Sequence, residues 1–147
     1  MAQLSDFESV LASEGYLAVV ATSRADGSVQ ASIASVGVLD HPVRGTPIVA
    51  LVARGDALKV RHWRRDPRAT LVAQSGYRWV TVEGTVELAG PDDRLDGVDP
   101  AGVPELLRAV FRAAGGTHDD WATYDRVMAD ERRVAVLVTP TRVYSNG

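Results

Sequence analysis

Arg78-Trp-Val-Thr-Val-Glu-Gly-Thr-Val-Glu-Leu88 decides the architecture of this chain. Val80, Val82, Gly84, Val86 and Leu88 alternate with Trp79, Thr81, Glu83, Thr85 and Glu87. That is the two-residue period of a strand with an apolar and a polar face. Arg68 to Gln74, just upstream, is a second short apolar run. Further out, Tyr16 to Thr22 and Val29 to about Leu39 flank Asp26-Gly27, a strong tight-hairpin signal. In the second of these, Val29, Ala31 and Ile33 fall on one face, and Gln30, Ser32 and Ala34 on the other. Pro47 to Ala53 reads as a buried strand, and Arg133 to Tyr144, with Val134, Val136 and Val138 alternating, as the last. Six or so strands in hairpin order with few helices point to a mainly β, antiparallel barrel.

The helices are short. Leu4 to Ser13 carries Phe7, Val10 and Leu11 on one face, and Ser5 with Glu8 fits a capping box. Asp56 is placed to cap a helix from about Ala57 to Arg65, ended by Pro67, with Leu58 and Trp63 toward the core. Ala89 to Gly102 reads as a loop. Pro104 opens a helix through about Ala114, and Thr117 or Asp119 opens another through about Ala129. The expectation is one domain over 1–147, with a helical insert at about 103–130 before the last strand.

Composition narrows the function. The net charge of −3 argues against a general nucleic-acid binder. The absence of cysteine excludes disulfides, thiolate metal sites and cysteine nucleophiles. No apolar run approaches the roughly 20 residues of a membrane span, and the N-terminus lacks a signal core. A cytoplasmic protein is the simplest reading. Charge is unevenly spread: residues 54–68 hold six basic and two acidic side chains, so the remainder carries about −7. A positive patch on an acidic protein suits a small anionic ligand.

Within that patch stands Lys59, the only lysine among 16 basic side chains. An ammonium is a point-charge ligand for phosphate, and guanidinium forks bind its oxygens bidentately. The alternative is a solvated helix face. The strand ending at Ala53, the turn at Gly55 and the helix beyond it form a generic phosphate site, because helix N-termini present free amides. It is neither a Walker loop nor a dinucleotide fingerprint. His41, His62 and His118 show no metal spacing, Ser32 and Ser35 stand in no hydrolase motif, and no metal is expected. Trp63 and Trp121 read as packing residues, whereas Trp79 sits on the polar face of its strand.

Three segments carry a resemblance: Thr22 to Ser32, Ala53 to Val72, and Val82 to Glu87. Together they resemble the pyridoxamine-phosphate-oxidase-like FMN-binding split barrels. In detail they are most similar to the actinobacterial branch that uses the deazaflavin coenzyme F420. Lys59, Asp66-Pro67 and Arg68 are the most specific part, and Arg142-Val-Tyr144 resembles the end of such a chain. The resemblance implies a six-stranded split barrel that forms a homodimer, with a flavin or deazaflavin at the interface. Carried over by position, Lys59 and Arg61 hold the cofactor phosphate. Arg54, with Val52 and Ala53, lies along the ribityl chain and ring. Ser32, Ala34 and Val36 form the floor beneath the ring, and Trp79, from the partner chain, borders the substrate. Arg24, Arg64 and Arg65 are candidates for the acidic tail of coenzyme F420. The Arg- and His-rich C-terminal pattern of true pyridoxamine-phosphate oxidases is not found after Arg133.

The expected activity is hydride transfer from reduced coenzyme F420 to a small unsaturated substrate. FMN on the same fold is the alternative cofactor, and a non-catalytic cofactor carrier the alternative class. No catalytic acid or base is assigned, since hydride chemistry belongs to the cofactor.

Overall fold

The structure, a computed structural model, describes residues 2–147. Helix α1 (Leu4–Ser13) is followed by β1 (Leu17–Ser23), β2 (Val29–Ser35), β3 (Gly37–Asp40) and β4 (Pro47–Ala53). Then come α2 (Leu58–Arg65), β5 (Arg68–Ser75), β6 (Arg78–Ala89), α3 (Val103–Ala113), α4 (Trp121–Asp130) and β7 (Val134–Ser145). A short 3-10 turn, Pro100–Gly102, leads into α3.

All seven strands form one antiparallel sheet in the order β2-β1-β5-β6-β7-β4-β3. The two edge strands are therefore consecutive in the chain, with only Val36 between them. Ser35 pairs with Leu17 on one edge, and Gly37 pairs with Ala50 on the other. One residue spans only ~3.3 Å, so the sheet must curl until its edges meet at Val36. The single strand expected over 29–39 is thus two, and the expected six strands become seven. The crossover is tight. The Val36 amide still bonds the Tyr16 carbonyl at 2.9 Å, and a Cβ on Gly37 would lie 2.4 Å from the Ala113 carbonyl carbon. Only glycine lets the strand cross the end of α3 there.

Two apolar clusters follow. Inside the curled sheet, Phe7, Val10 and Leu11 of α1 pack with Val20, Val36, Leu51, Trp63, Leu71, Val82 and Val136. Outside β4 and β7, Ile48, Ala50, Ala135 and Leu137 pack against Leu106, Leu107, Val110 and Tyr124 of α3 and α4. Val134 through Val138 are accordingly all buried, although the sequence suggested a one-sided strand. The helical insert covers the second face.

Local expectations differ in detail. The α1 capping box uses Gln3 and Asp6 instead of Ser5 and Glu8, the Gln3 amide donating to Asp6 Oδ2 at 2.7 Å. Asp56 does not cap α2. The cap is Ala57, and the Asp56 carboxylate sits beside Arg54. Leu58 is half exposed instead of facing the core.

A polar knot ties the 40–46 loop to β6. His41 is buried; its Nδ1 accepts the amides of Val43 and Arg44 at 3.1 and 3.2 Å. Nε2 therefore carries the proton and donates to Glu87 Oε1 at 3.0 Å. Arg44 donates to the same oxygen at 2.8 Å. The Arg44 hydrogen bond, aided by His41, holds the Glu87 carboxyl below its usual range despite burial. A carboxyl depressed on folding stabilises fully above the unfolded-state value near ~4.3, and that stability fades as pH falls through the folded value. Glu87→Gln is expected to cost about 1 kcal/mol at pH 7, with the difference from wild type shrinking as the pH falls through the lowered folded-state value of the carboxyl. Urea midpoints across that range check it, and a pH-independent gap would contradict it.

Candidate functional site

The segment from β4 into α2 is a tight turn that opens directly into the helix. Gly55 is buried against the chain entering β7, where an added Cβ would sit 2.5 Å from the Arg132 carbonyl oxygen. The turn closes through the Ala57 amide on the Arg54 carbonyl at 3.1 Å. Because Ala57 has no side-chain acceptor, the Leu58 and Lys59 amides of the first turn have no acceptor among the described residues. Such a helix end presents a pair of N–H donors with partial positive charge.

The six cations of residues 54–68 divide sharply. Arg54 lies 3.4 Å from Asp56 and 3.7 Å from Glu131. Arg64 grips Asp93 through two bonds of 2.9 and 2.6 Å, and Arg68 grips Asp66 through two of 2.9 and 2.7 Å. Arg65 donates to the Ser23 carbonyl. The Asp93 hydrogen bond raises the Arg64 pKa, and the Arg68 hydrogen bond lowers that of Asp66. Lys59 and Arg61 alone of the six have neither an acid partner nor a hydrogen bond among the described residues. Residues two apart in a helix point to different sides. Their Cβ atoms tilt toward the N-terminus, so each side chain leans toward the first turn from its own side of the helix. Of the tail candidates, Arg64 is already engaged by Asp93, and Arg24 donates to the Val29 carbonyl at 2.7 Å.

Helix α2 is fixed by its inner face. Val60, His62 and Trp63 are buried, and the Trp63 indole donates to the Arg68 carbonyl at 3.2 Å. His62 Nδ1 is hydrogen-bonded to the Thr22 hydroxyl at 2.7 Å, and that hydroxyl lies 3.4 Å from Gln30 Oε1. This Gln30–Thr22–His62 chain locks α2 to β1 and β2. Nothing in the residue spacing announces it, since 40 positions separate Thr22 from His62.

The other expected residues scatter by strand alternation. Ser32 and Ala34 are half-buried on the inner side of β2, beside Gln30. Val36 is wholly buried and Ala53 is 3% exposed, both within the inner cluster. Val52, half-buried, packs on the opposite side with the α3–α4 cluster. Trp79 pairs with Gln74 and meets Tyr144 edge-on at 6.1 Å. Gln74 lies six positions beyond Arg68 along β5, about 20 Å of strand, so within one chain Trp79 stands far from the end of α2.

Two surfaces went unread in the sequence. The outer side of β1 and β2 exposes Leu17, Val29 and Ile33, the last two at 62%. Beside it, Ser23, Arg68, Thr70, Glu83, Thr85 and Thr141 line a groove of about 530 Å³.

No protein-family model matches the chain. Among solved structures, a conserved hypothetical protein from Mycobacterium tuberculosis aligns with a TM-score of 0.68 at 22% identity, covering 99% of this chain and 84% of its own. An F420 reductase aligns with a TM-score of 0.61 at 18% identity, covering 94% of this chain and 95% of its own. A pyridoxamine 5'-phosphate oxidase-related, FMN-binding protein from Nostoc punctiforme aligns with a TM-score of 0.64 at 13% identity, covering 99% and 86%. At these identities the likeness establishes the fold. The fold is the one that the sequence resemblance implies, pyridoxamine-phosphate-oxidase-like, and its neighbours include both an F420 reductase and an FMN-binding protein.

Proposed function

We propose that this protein is an oxidoreductase that binds coenzyme F420 and uses it to reduce a small unsaturated substrate. The observation that carries the reading is the pair of uncommitted cations, Lys59 and Arg61, beside an uncapped helix N-terminus. Every other cation of the stretch is already held by an acid or a carbonyl. An anionic phosphate fits that donor set in charge and hydrogen bonding.

In this reading Lys59, Arg61 and the Leu58 and Lys59 amides bind the phosphate, while the Gln30–Thr22–His62 chain keeps the helix in place. Arg54 and the backbone of Val52 and Ala53 border the ribityl chain. Ser32 and Ala34 leave room for a flat ring. The fully buried Val36 supports that floor from within. The bound cofactor supplies the hydride, so the chain's part is to bind, orient and exclude water.

The same reading takes β2 and β3 as one bent strand, giving a six-stranded split barrel over residues 1–147 with its helical insert at about 103–130. It also takes the protein to be a cytoplasmic homodimer. The exposed Leu17, Val29 and Ile33 supply an apolar face for the second copy, which would bring the partner's Trp79 toward the site. FMN is the second cofactor reading, supported by the FMN-binding neighbour.

Titration of the protein with coenzyme F420 and with FMN, followed by fluorescence, tests the proposal. Saturable binding is expected, tighter for coenzyme F420, followed by turnover of the reduced form with a panel of enones. Tighter binding of FMN selects the second cofactor. Binding without turnover leaves a carrier, and binding of neither overturns the reading.

A further inference from the structure

A cavity lies beneath the loop that runs from Gly90 to Val98, and neither Lys59 nor Arg61 is among its lining residues. Its volume is about 550 Å³, inside the ~300–1,000 Å³ range of small-molecule sites. Leu95 and Val98 of the loop face Val103 and Leu107 of α3 and Met128 of α4 across it. The loop is pinned from two sides: Asp92 takes both guanidinium bonds of Arg132, and Asp93 takes both of Arg64. A ligand would find the walls already assembled, which lowers the ordering cost of binding.

The charges of the lining nearly cancel. Asp92 is matched by Arg132, Asp93 by Arg64, Asp125 by Arg108 and Arg133 by Glu131. Arg94 is exposed on the loop, lines the cavity, and has no hydrogen bond or acid partner among the described residues. The lining is therefore mostly apolar, and Arg94 at its edge is the one charged lining residue without a counter-charge among the described residues.

We infer that this cavity binds an amphipathic monoanion, an apolar ring or chain bearing one carboxylate. The apolar body gains by leaving water, and the carboxylate takes a bidentate fork from Arg94. A neutral analogue forgoes that fork, and a cation meets repulsion. Lys59 and Arg61 do not line it, so the inference is tested without reference to the cofactor reading.

Met128 is one of only two methionines, the other being Met1, so its methyl signal is readily identified. The full chain, labelled with carbon-13 at the methionine methyls, is titrated with 2-naphthoate and with 2-naphthylmethanol, its uncharged analogue. The naphthalene ring current reports occupancy at Met128. Saturable shifts are expected with naphthoate, with the alcohol binding about tenfold or more weakly, the worth of a charge-assisted contact. Arg94→Ala should reduce naphthoate affinity by a similar factor and leave the alcohol unchanged. Val103→Trp should abolish the shift while the amide spectrum stays folded, and Lys59→Ala, whatever it does to cofactor binding, should leave the naphthoate-induced shift of Met128 as in wild type. An unresponsive Met128 overturns the inference. So do equal affinity for both compounds, insensitivity to Arg94→Ala, and a loss on Lys59→Ala, which would place the anion on α2.

Discussion

Trp63→Ala is expected to lower the unfolding free energy by about 3–5 kcal/mol, the range for truncating a buried large aromatic. Trp63 is 2% exposed and among the largest fully buried side chains. It sits where α2 meets the interior of the curled sheet. Its removal leaves a cavity and takes the indole donor from the Arg68 carbonyl. The effect has a functional arm. With Val60 and His62, this ring holds α2 against the sheet, so cofactor affinity should fall with stability even where the chain remains folded. Trp63→Phe, which keeps most of the buried surface, should recover more than half of both losses. Urea unfolding and cofactor titration of the two variants supply the check. A loss under ~1 kcal/mol for the alanine variant would mean that α2 is held by other contacts.

Lys59→Ala should act oppositely, on binding and hardly on folding. Lys59 forms no hydrogen bond or ion pair within the described chain, so the unliganded protein should keep its melting temperature. Cofactor binding should weaken by about 2–3 kcal/mol, the worth of a charge-assisted contact, which is roughly 30- to 150-fold in Kd. Arg61→Ala should weaken it comparably. Arg64→Ala should instead lower stability slightly through the lost Asp93 pair, with a smaller effect on affinity. Titration at fixed ionic strength separates these outcomes. Unchanged affinity in both Lys59→Ala and Arg61→Ala would remove the phosphate assignment.

Helix α1 falls on the expected residues, Leu4 to Ser13, and its Phe7, Val10 and Leu11 are buried. The β5–β6 pairing from Arg68↔Thr85 to Ser75↔Arg78 matches the two runs that bracket Gly76-Tyr77. These features were legible because each is specified by neighbours within a few residues. Capping was less so. Asp56 has the right chemistry for a cap, but the Arg54 guanidinium lies beside its carboxylate. The break at Val36 was also hidden, since Val29 to Leu39 contains no residue that forbids a continuous strand. The bend comes from having to pair with β1 on one edge and β4 on the other.

The candidate site divides along the same line. The chain alone concentrates six cations in residues 54–68 and places a lone lysine among them. Both facts are compositional and survive any fold. Which of those cations stay free was decided in three dimensions. Asp93 reaches Arg64 across 29 residues, and Glu131 reaches Arg54 from the far side of the helical insert. The buried Thr22–His62 bond and the cavity under Arg94 likewise join segments distant in sequence. Period and turn chemistry are short-range and are written residue by residue, whereas the pairing of charges depends on which surfaces packing brings within a few ångströms.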